Sequence, residues 1–122
     1  MTARVVVLAQ DLIWADRLAR AVEAAGAQPV RVGSLERLVD ALPGADAAII
    51  DLTALAYDGV AAIEAARAGG SPVLAVGQHD DHELRKRALA AGAERVYAYR
   101  KLFEDGPATV AAWLARTTPV GP

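Results

Sequence analysis

The sequence Asp46-Ala47-Ala48-Ile49-Ile50-Asp51-Leu52-Thr53 is a short apolar run that ends in a carboxylate. A run of this length, bounded by polar residues, is typical of a strand that is buried on both faces. Strands of that kind lie in parallel sheets that carry helices on both sides. In open sheets of this type, ligands bind outside the carboxyl ends of the strands. We therefore expect Asp51 to lie at a functional edge of the sheet.

The composition limits the classes of protein to consider. The chain has 122 residues, of which 54% are hydrophobic and 23% charged, as in an ordinary globular domain with its own core. A net charge of -2 argues against nucleic acid as the main partner, and the absence of Cys excludes disulfides and thiol chemistry. The apolar run at residues 5–9 is too short for a signal peptide or a membrane span, so we expect a cytoplasmic protein without membrane contact.

Strand and helix patterns alternate five times along the chain. Strands are predicted at residues 4–9, 28–32, 47–51, 72–76 and 95–99. Asp80 and Glu83 are spaced as a capping box for the fourth helix, and Pro107 suits the first turn of the fifth. Because parallel crossovers are right-handed, we expect a flavodoxin-like α/β fold with a doubly wound parallel sheet in the order 2-1-3-4-5. This domain is predicted to span residues 1–116, and residues 117–122 are predicted to form a flexible tail.

The predicted strand order places the ends of the first and third strands side by side. These ends carry Gln10-Asp11 and Asp51, and Trp14 is predicted to lie in the loop beside them. Two neighbouring carboxylates repel each other unless a cation or proton intervenes, so Asp11 and Asp51 could share Mg²⁺. An aspartate beside Mg²⁺ can also attack a phosphoryl group. On these two positions alone, the alternative that both aspartates are only turn or cap residues stays open.

Up to about Leu114, the chain resembles the receiver domain of two-component response regulators. Four stretches carry the resemblance: Gln10-Asp11; Ile49-Ile50-Asp51-Leu52 followed by Asp58-Gly59; Pro72-Val73-Leu74-Ala75-Val76 followed by His79-Asp80-Asp81; and Ala91-Gly92-Ala93. The resemblance implies that Asp51 accepts a phosphoryl group from a histidine kinase. It also implies that Mg²⁺ is held by Asp51 and by an acidic pair at positions 10 and 11.

Three positions depart from the pattern of that family. Gln10 replaces the first acidic residue, and Gly77 stands where a Ser or Thr hydroxyl contacts the phosphoryl group. The Lys that neutralises the phosphoryl oxygens aligns with Tyr99, or with Lys101 if the preceding loop is two residues longer. Each preorganised donor lost from such a site removes about 2.7–4 kcal/mol of transition-state stabilisation.

We therefore expect a single-domain, degenerate receiver-like module that acts by protein–protein interaction with a histidine kinase or a downstream effector. We expect no Mg²⁺ binding or only weak binding, and no enzymatic activity beyond self-phosphorylation at Asp51. The alternative is an active response regulator that uses Asp51 as acceptor, Lys101 as cation, and Mg²⁺. A homodimer through residues 81–116 is also predicted, because basic and acidic clusters in this segment could pair across a two-fold axis.

Overall fold

The computed structural model describes residues 2–117, in which five strands alternate with five α-helices. The strands are β1 (Arg4–Leu8), β2 (Gln28–Val32), β3 (Ala47–Asp51), β4 (Val73–Gly77) and β5 (Arg95–Ala98). The helices are α1 (Leu12–Ala24), α2 (Leu35–Ala41), α3 (Gly59–Ala68), α4 (His82–Ala91) and α5 (Tyr99–Thr117), and a 3₁₀ turn at Leu42–Gly44 follows α2. All strand pairs are parallel, and the sheet order is β2-β1-β3-β4-β5. The predicted flavodoxin-like topology is confirmed.

The core lies in two layers, one on each face of the sheet. All five residues of β3 are buried, as expected for a central parallel strand with helices on both sides. Successive side chains of a strand point to opposite faces, so Ile50 packs with the layer beneath α2, α3 and α4, and Ile49 packs with the layer beneath α1 and α5. Trp113 of α5 is fully buried in the second layer.

The strand register brings the predicted site together. Leu8 of β1 pairs with Ile50 of β3, and Asp51 pairs with Val76 of β4. The residues that follow β1 therefore lie beside Asp51 at the carboxyl edge of the sheet. This juxtaposition is the one that the predicted strand order requires.

The start of α4 differs from the prediction. The carboxylate of Asp81 accepts a hydrogen bond from Leu84 N at 3.0 Å, so Asp81 is the N-cap. The predicted capping box of Asp80 and Glu83 is wrong by one residue. Both aspartates precede the same apolar pattern, and only the backbone geometry of the loop selects the second.

The start of α5 also differs from the prediction. The last strand ends at Ala98, and the helix begins at once with Tyr99 instead of near Pro107. The helix is kinked at Asp105, whose φ of -146° and ψ of 33° are not helical. Pro107 therefore marks the second segment of a kinked helix, which is where its fixed φ and missing N–H are tolerated.

Two further predictions concern the C-terminal tail and the absence of a membrane-spanning helix. Thr117 is the last residue of α5, and residues 118–122 of the predicted tail lie outside the described residues. Within residues 2–117, no helix has the length and apolar character needed to cross a bilayer.

Candidate functional site

Asp51 is a nearly buried carboxylate at the end of β3, with 2% of its surface exposed. Its Oδ1 accepts hydrogen bonds from the backbone N and the hydroxyl of Thr53, both at 3.0 Å. The hydroxyl of Tyr99 donates to the same oxygen, and the two hydroxyls also contact each other. We call Asp51, Thr53 and Tyr99 the Asp51 network. It satisfies one oxygen of a buried charge with three protein donors, which is how proteins normally retain such a group.

Tyr99 reaches Asp51 because α5 begins directly after β5. Burial raises the pKa of the Tyr99 hydroxyl, and the hydrogen bond to Asp51 and the negative charge of that carboxylate raise it further. The hydroxyl therefore keeps its proton at neutral pH and acts as a neutral donor. It cannot supply the positive charge that a lysine would bring to the same place.

Lys101 lies elsewhere. Its Nζ is 3.7 Å from Asp105 Oδ2 on the same helix, and its side chain is half exposed. It lines a small cavity together with Tyr97 and Thr109, separate from the cavity beside Asp51. Of the two aligned positions, the structure brings Tyr99, and not Lys101, to Asp51.

Gln10 lies at the predicted site but is engaged with backbone groups. Its Oε1 accepts hydrogen bonds from Leu55 N at 3.0 Å and from Ala56 N at 3.2 Å. These donors belong to the loop between β3 and α3, more than forty positions away in the sequence. The side-chain amide therefore tethers this loop beside Asp51.

Asp11 is the N-cap of α1. Its Oδ1 accepts from Ile13 N at 2.8 Å and from Trp14 N at 3.0 Å. This capping satisfies two backbone donors that a helix start otherwise leaves unpaired. Trp14 consequently lies in the first turn of α1, and its predicted place in a loop is wrong.

A cavity of about 420 Å³ collects the predicted residues. It is lined by Gln10, Asp11, Asp51, Thr53, Ala54 and Leu55. The two carboxylates and the amide predicted from the sequence therefore do converge on one place.

Mg²⁺ fits this cavity only in part. Mg²⁺ is commonly held by one or two carboxylates together with water and phosphate oxygens, and Asp11 and Asp51 could supply that number. However, Oδ1 of each aspartate and Oε1 of Gln10 already accept hydrogen bonds from protein donors. Throughout residues 2–117, no group of three or more His, Asp or Glu side chains is arranged to hold a metal ion.

Gly77 is the last residue of β4 and has no side chain that could contact a phosphoryl group. A Cβ added there would lie 3.5 Å from Leu52 Cδ1 and 3.7 Å from Leu52 Cβ, which are ordinary contact distances. Its φ is not positive, so the backbone does not demand glycine. The site lacks a hydroxyl at this position although a small side chain would fit.

Tyr57 is a site residue that the sequence analysis missed. Its buried hydroxyl lies 2.6 Å from the carbonyl oxygen of Asp51 and 3.2 Å from that of Leu8. It thereby joins the carboxyl ends of β1 and β3. Burial raises the pKa of Tyr57, and the charge of Asp51 raises it further. The only signal in the sequence is an aromatic residue just before the helix cap Asp58.

Aromatic contacts lead from the Asp51 network to the outer surface. The rings of Tyr99 and Trp14 lie with centroids 4.5 Å apart. The guanidinium carbon of Arg17 is 5.5 Å from the centroid of Trp14 and 4.5 Å from that of Phe103. Phe103 is 62% exposed, so the series of contacts begins at a buried carboxylate and ends in solvent.

Several solved structures of similar fold are receiver domains of response regulators. The BeF₃-activated receiver domain of DrrB, from Thermotoga maritima, has a TM-score of 0.79 and 13% identity over 96% of this chain and 97% of that chain. The receiver domain of Francisella response regulator 1452 has a TM-score of 0.79 and 17% identity over 96% of this chain and 100% of that chain. The fold is that of a receiver domain.

A third similar structure has a higher sequence identity. It is a protein from Burkholderia pseudomallei K96243 described as pilus assembly-related, with 26% identity and a TM-score of 0.75 over 95% of this chain and 89% of that chain. No protein-family model matches the sequence, and no curated protein is detectably similar to it. The similar structures establish the receiver fold, and the chemistry at Asp51 has to be judged from the residues of this chain.

Proposed function

We propose that this chain is a degenerate receiver-like signalling module that acts through protein–protein contact and does not depend on phosphorylation of Asp51. The hydrogen bond from the Tyr99 hydroxyl to Asp51 Oδ1 carries the proposal. In the family that the chain resembles, a lysine neutralises the phosphoryl group, and Tyr99 is one of the two positions that align with it. A neutral aromatic side chain there occupies one oxygen of the acceptor and brings no positive charge.

Two groups that would stabilise a phosphoryl group, a lysine and a hydroxyl, are replaced in this site, which argues against phosphoryl transfer. A phosphoryl group carries about two negative charges at neutral pH, and Asp11 lies in the same cavity. Loss of one preorganised donor slows such a reaction by roughly 10²–10³. Tyr99 in place of lysine and Gly77 in place of a hydroxyl residue are two such losses, so a rate reduction of about 10⁴ or more is expected.

Hydrogen bonds within the chain also hold the loop and the strand ends around Asp51. The tether from Gln10 to the backbone of Leu55 and Ala56 fixes the loop that borders Asp51. Tyr57 joins the two strand ends beneath it. A loop that is held by protein groups in this way needs neither Mg²⁺ nor a phosphoryl group to adopt one conformation, so we expect Mg²⁺ binding to be weak or absent.

The experiment that tests the proposal is incubation of the protein with Mg²⁺ and acetyl phosphate, followed by intact mass measurement. We expect no phosphoryl adduct on the wild-type chain. An adduct that is lost in Asp51→Asn would instead support the alternative, an active phospho-accepting response regulator, and would contradict the proposal.

The partner is a separate question. A histidine kinase or a downstream effector is the partner that the resemblance suggests. The pilus assembly-related protein that is 26% identical to this chain favours a second context, assembly of a surface appendage. Loss of pili in cells that lack this chain would support the second context, and unchanged piliation would contradict it.

Dimerisation through residues 81–116 stays a prediction. Several of the charges on which it rests already have partners within the chain. Arg100 Nε lies 2.8 Å from Glu104 Oε1, and Lys101 pairs with Asp105. A two-fold contact through this segment would therefore have to depend mainly on other groups, such as the exposed Arg87 of α4.

A further inference from the structure

The cavity beside Asp51 holds negative charge that no basic side chain balances. Its lining includes Asp11 and Asp51 but no Lys, Arg or His. Within residues 2–117, neither of these aspartates forms an ion pair, whereas Asp16 and Asp105 are paired with basic side chains. Because carboxylates that share a cavity repel each other, a cation from outside the chain would be stabilised there.

One oxygen of Asp51 has no hydrogen-bond donor. The donors from Thr53 and Tyr99 all contact Oδ1, and no donor in the described part of the chain reaches Oδ2. Among those residues, the side-chain oxygens that are both sealed from solvent and unpartnered are the hydroxyls of Thr109 and Thr117. Oδ2 is not one of them, so it faces the cavity that Asp51 lines. A carboxylate that is only 2% exposed thus presents an unused acceptor, which a charged donor would satisfy.

Asp11 offers the cavity a single oxygen in the same way. Its Oδ1 caps α1 through the N–H groups of Ile13 and Trp14, and its Oδ2 has no donor among residues 2–117. A guanidinium group binds best when it contacts both oxygens of one carboxylate, and neither Asp11 nor Asp51 has both free. An ammonium group directs three separate N–H donors and can contact one oxygen of each. The arrangement therefore favours an ammonium.

The remaining wall of the cavity is apolar. Ala54 and Leu55 complete the lining, and the Leu55 side chain is 97% exposed. The backbone of Leu55 is held by the tether to Gln10, so this wall is already in place. Methylene groups attached to an ammonium would pack against it, as the stem of a lysine packs on apolar surface. The cavity volume of about 420 Å³ is also within the range of small-ligand sites, about 300–1,000 Å³.

We infer that this cavity binds a primary alkylammonium group in place of Mg²⁺. The ammonium donates to Oδ2 of Asp51 and to Oδ2 of Asp11, and its alkyl stem lies against Leu55. Such a group is supplied either by a lysine side chain of a protein partner or by a free amine. The inference deepens the proposed function and rests on it in one respect, that Mg²⁺ leaves the cavity free.

The test is titration of the full chain with n-butylammonium chloride at constant ionic strength. Binding is read from the NMR chemical shifts of the backbone amides of Thr53, Leu55 and Ala56. We expect saturable shifts at millimolar concentration and weaker binding when the ionic strength is raised. n-Butanol has a similar stem without the charge, and n-butylguanidinium carries the forked cation. Both should bind at least about tenfold more weakly.

Asp11→Asn tests the acceptor that can be changed with least damage to the fold. Asn keeps an oxygen that can cap α1, but it removes the negative charge, so the affinity for n-butylammonium should fall about tenfold or more. Asp40→Asn is the matched control, because Asp40 is an exposed aspartate of α2 and its substitution changes the net charge equally. It should leave the affinity unchanged.

Two further ligands distinguish the sources of the ammonium. Lysine with an acetylated amino group at Cα and a methylamidated carboxyl group represents a side chain of a protein partner, and 1,4-diaminobutane represents a free amine. Tighter binding of the lysine derivative would assign the site to a protein partner. Tighter binding of the diamine would assign it to a free polyamine.

Three outcomes would overturn the inference. These are the absence of saturable shifts, equal binding of n-butanol or n-butylguanidinium, and equal losses of affinity in Asp11→Asn and Asp40→Asn. The amine titrations contain neither Mg²⁺ nor a phosphoryl donor. A phosphoryl adduct on Asp51 would therefore contradict the proposed function without deciding whether the cavity binds an ammonium.

Discussion

The hydroxyl of Tyr99 donates a hydrogen bond to Oδ1 of Asp51, so a neutral aromatic residue contacts the carboxylate at one of the two positions that align with the lysine of the resembled family. The contact joins the first residue of α5 to the last residue of β3, 48 positions apart in the sequence. It therefore contributes to the fold as well as to the chemistry of the site.

Tyr99→Phe should destabilise the fold. The substitution removes a donor from a nearly buried carboxylate, and a hydrogen bond to a charged group contributes about 1.5–3 kcal/mol. Urea unfolding measures the loss. Tyr97→Phe is the control, because Tyr97 is a partly buried tyrosine of β5 that lies outside the Asp51 network. Equal free energies of unfolding for the two variants would show that the contact with Asp51 does not stabilise the protein.

The stability of the protein should fall as the pH rises above about 10. Burial and the negative charge of Asp51 raise the pKa values of Tyr57 and Tyr99 in the folded state. Above the ordinary tyrosine pKa, the unfolded chain releases these protons while the folded chain keeps them, so unfolding is favoured. Below that pH the two states bind the same number of tyrosine protons, and these residues cause no pH dependence.

The double variant Tyr57→Phe/Tyr99→Phe separates the loss of stability caused by these two tyrosines from any loss caused by the titration of lysines. Its free energy of unfolding, measured in urea between about pH 8 and pH 11, should decrease less steeply than that of the wild-type chain. Parallel curves for the two proteins would contradict the elevated tyrosine pKa values.

Gln10→Ala should loosen the loop between β3 and α3. It removes the acceptor for the backbone N–H groups of Leu55 and Ala56, so their hydrogen exchange should accelerate about tenfold. Gln10→Glu keeps an acceptor oxygen and should preserve the protection. Gln78→Ala, at an exposed glutamine of another loop, is the control. Unchanged exchange at Leu55 and Ala56 in Gln10→Ala would refute the tether.

Mg²⁺ should not bind with saturation at millimolar concentration. Trp14 fluorescence can report binding, because Trp14 packs against Tyr99 and is positioned by Asp11. Trp14→Phe shows how much of the signal belongs to this residue, and calorimetry checks the result independently. Saturable binding that is weakened in Asp11→Asn would mean that the two carboxylates do hold the cation.

The fold could be predicted because its signals are local in the sequence. The uninterrupted apolar run of β3 indicates burial on both faces. Strand and helix patterns also alternate five times along the chain. Right-handed crossovers then leave few topologies. The boundaries at Asp81 and Tyr99 were harder to predict, because each depends on how a short loop turns after a strand rather than on a hydrophobic pattern.

The site could be predicted only in part. The convergence of Gln10, Asp11 and Asp51 follows from strand order, because each residue lies at or just after a strand end. The choice between Tyr99 and Lys101 depends on a difference of two residues in loop length that the sequence leaves open. The tether of Gln10 and the double contact of Tyr57 join distant backbone groups, which no spacing in the sequence reveals.

The most direct test of the account compares the wild-type chain with the triple variant Gln10→Asp/Gly77→Ser/Tyr99→Lys. Both are incubated with Mg²⁺ and acetyl phosphate, and the phosphoryl adduct is quantified by intact mass. We expect no adduct on the wild-type chain and an adduct on the triple variant that disappears when Asp51→Asn is added. Absence of an adduct from both proteins would show that these three residues do not account for the inactivity. An adduct on the wild-type chain that is lost in Asp51→Asn would contradict the central claim.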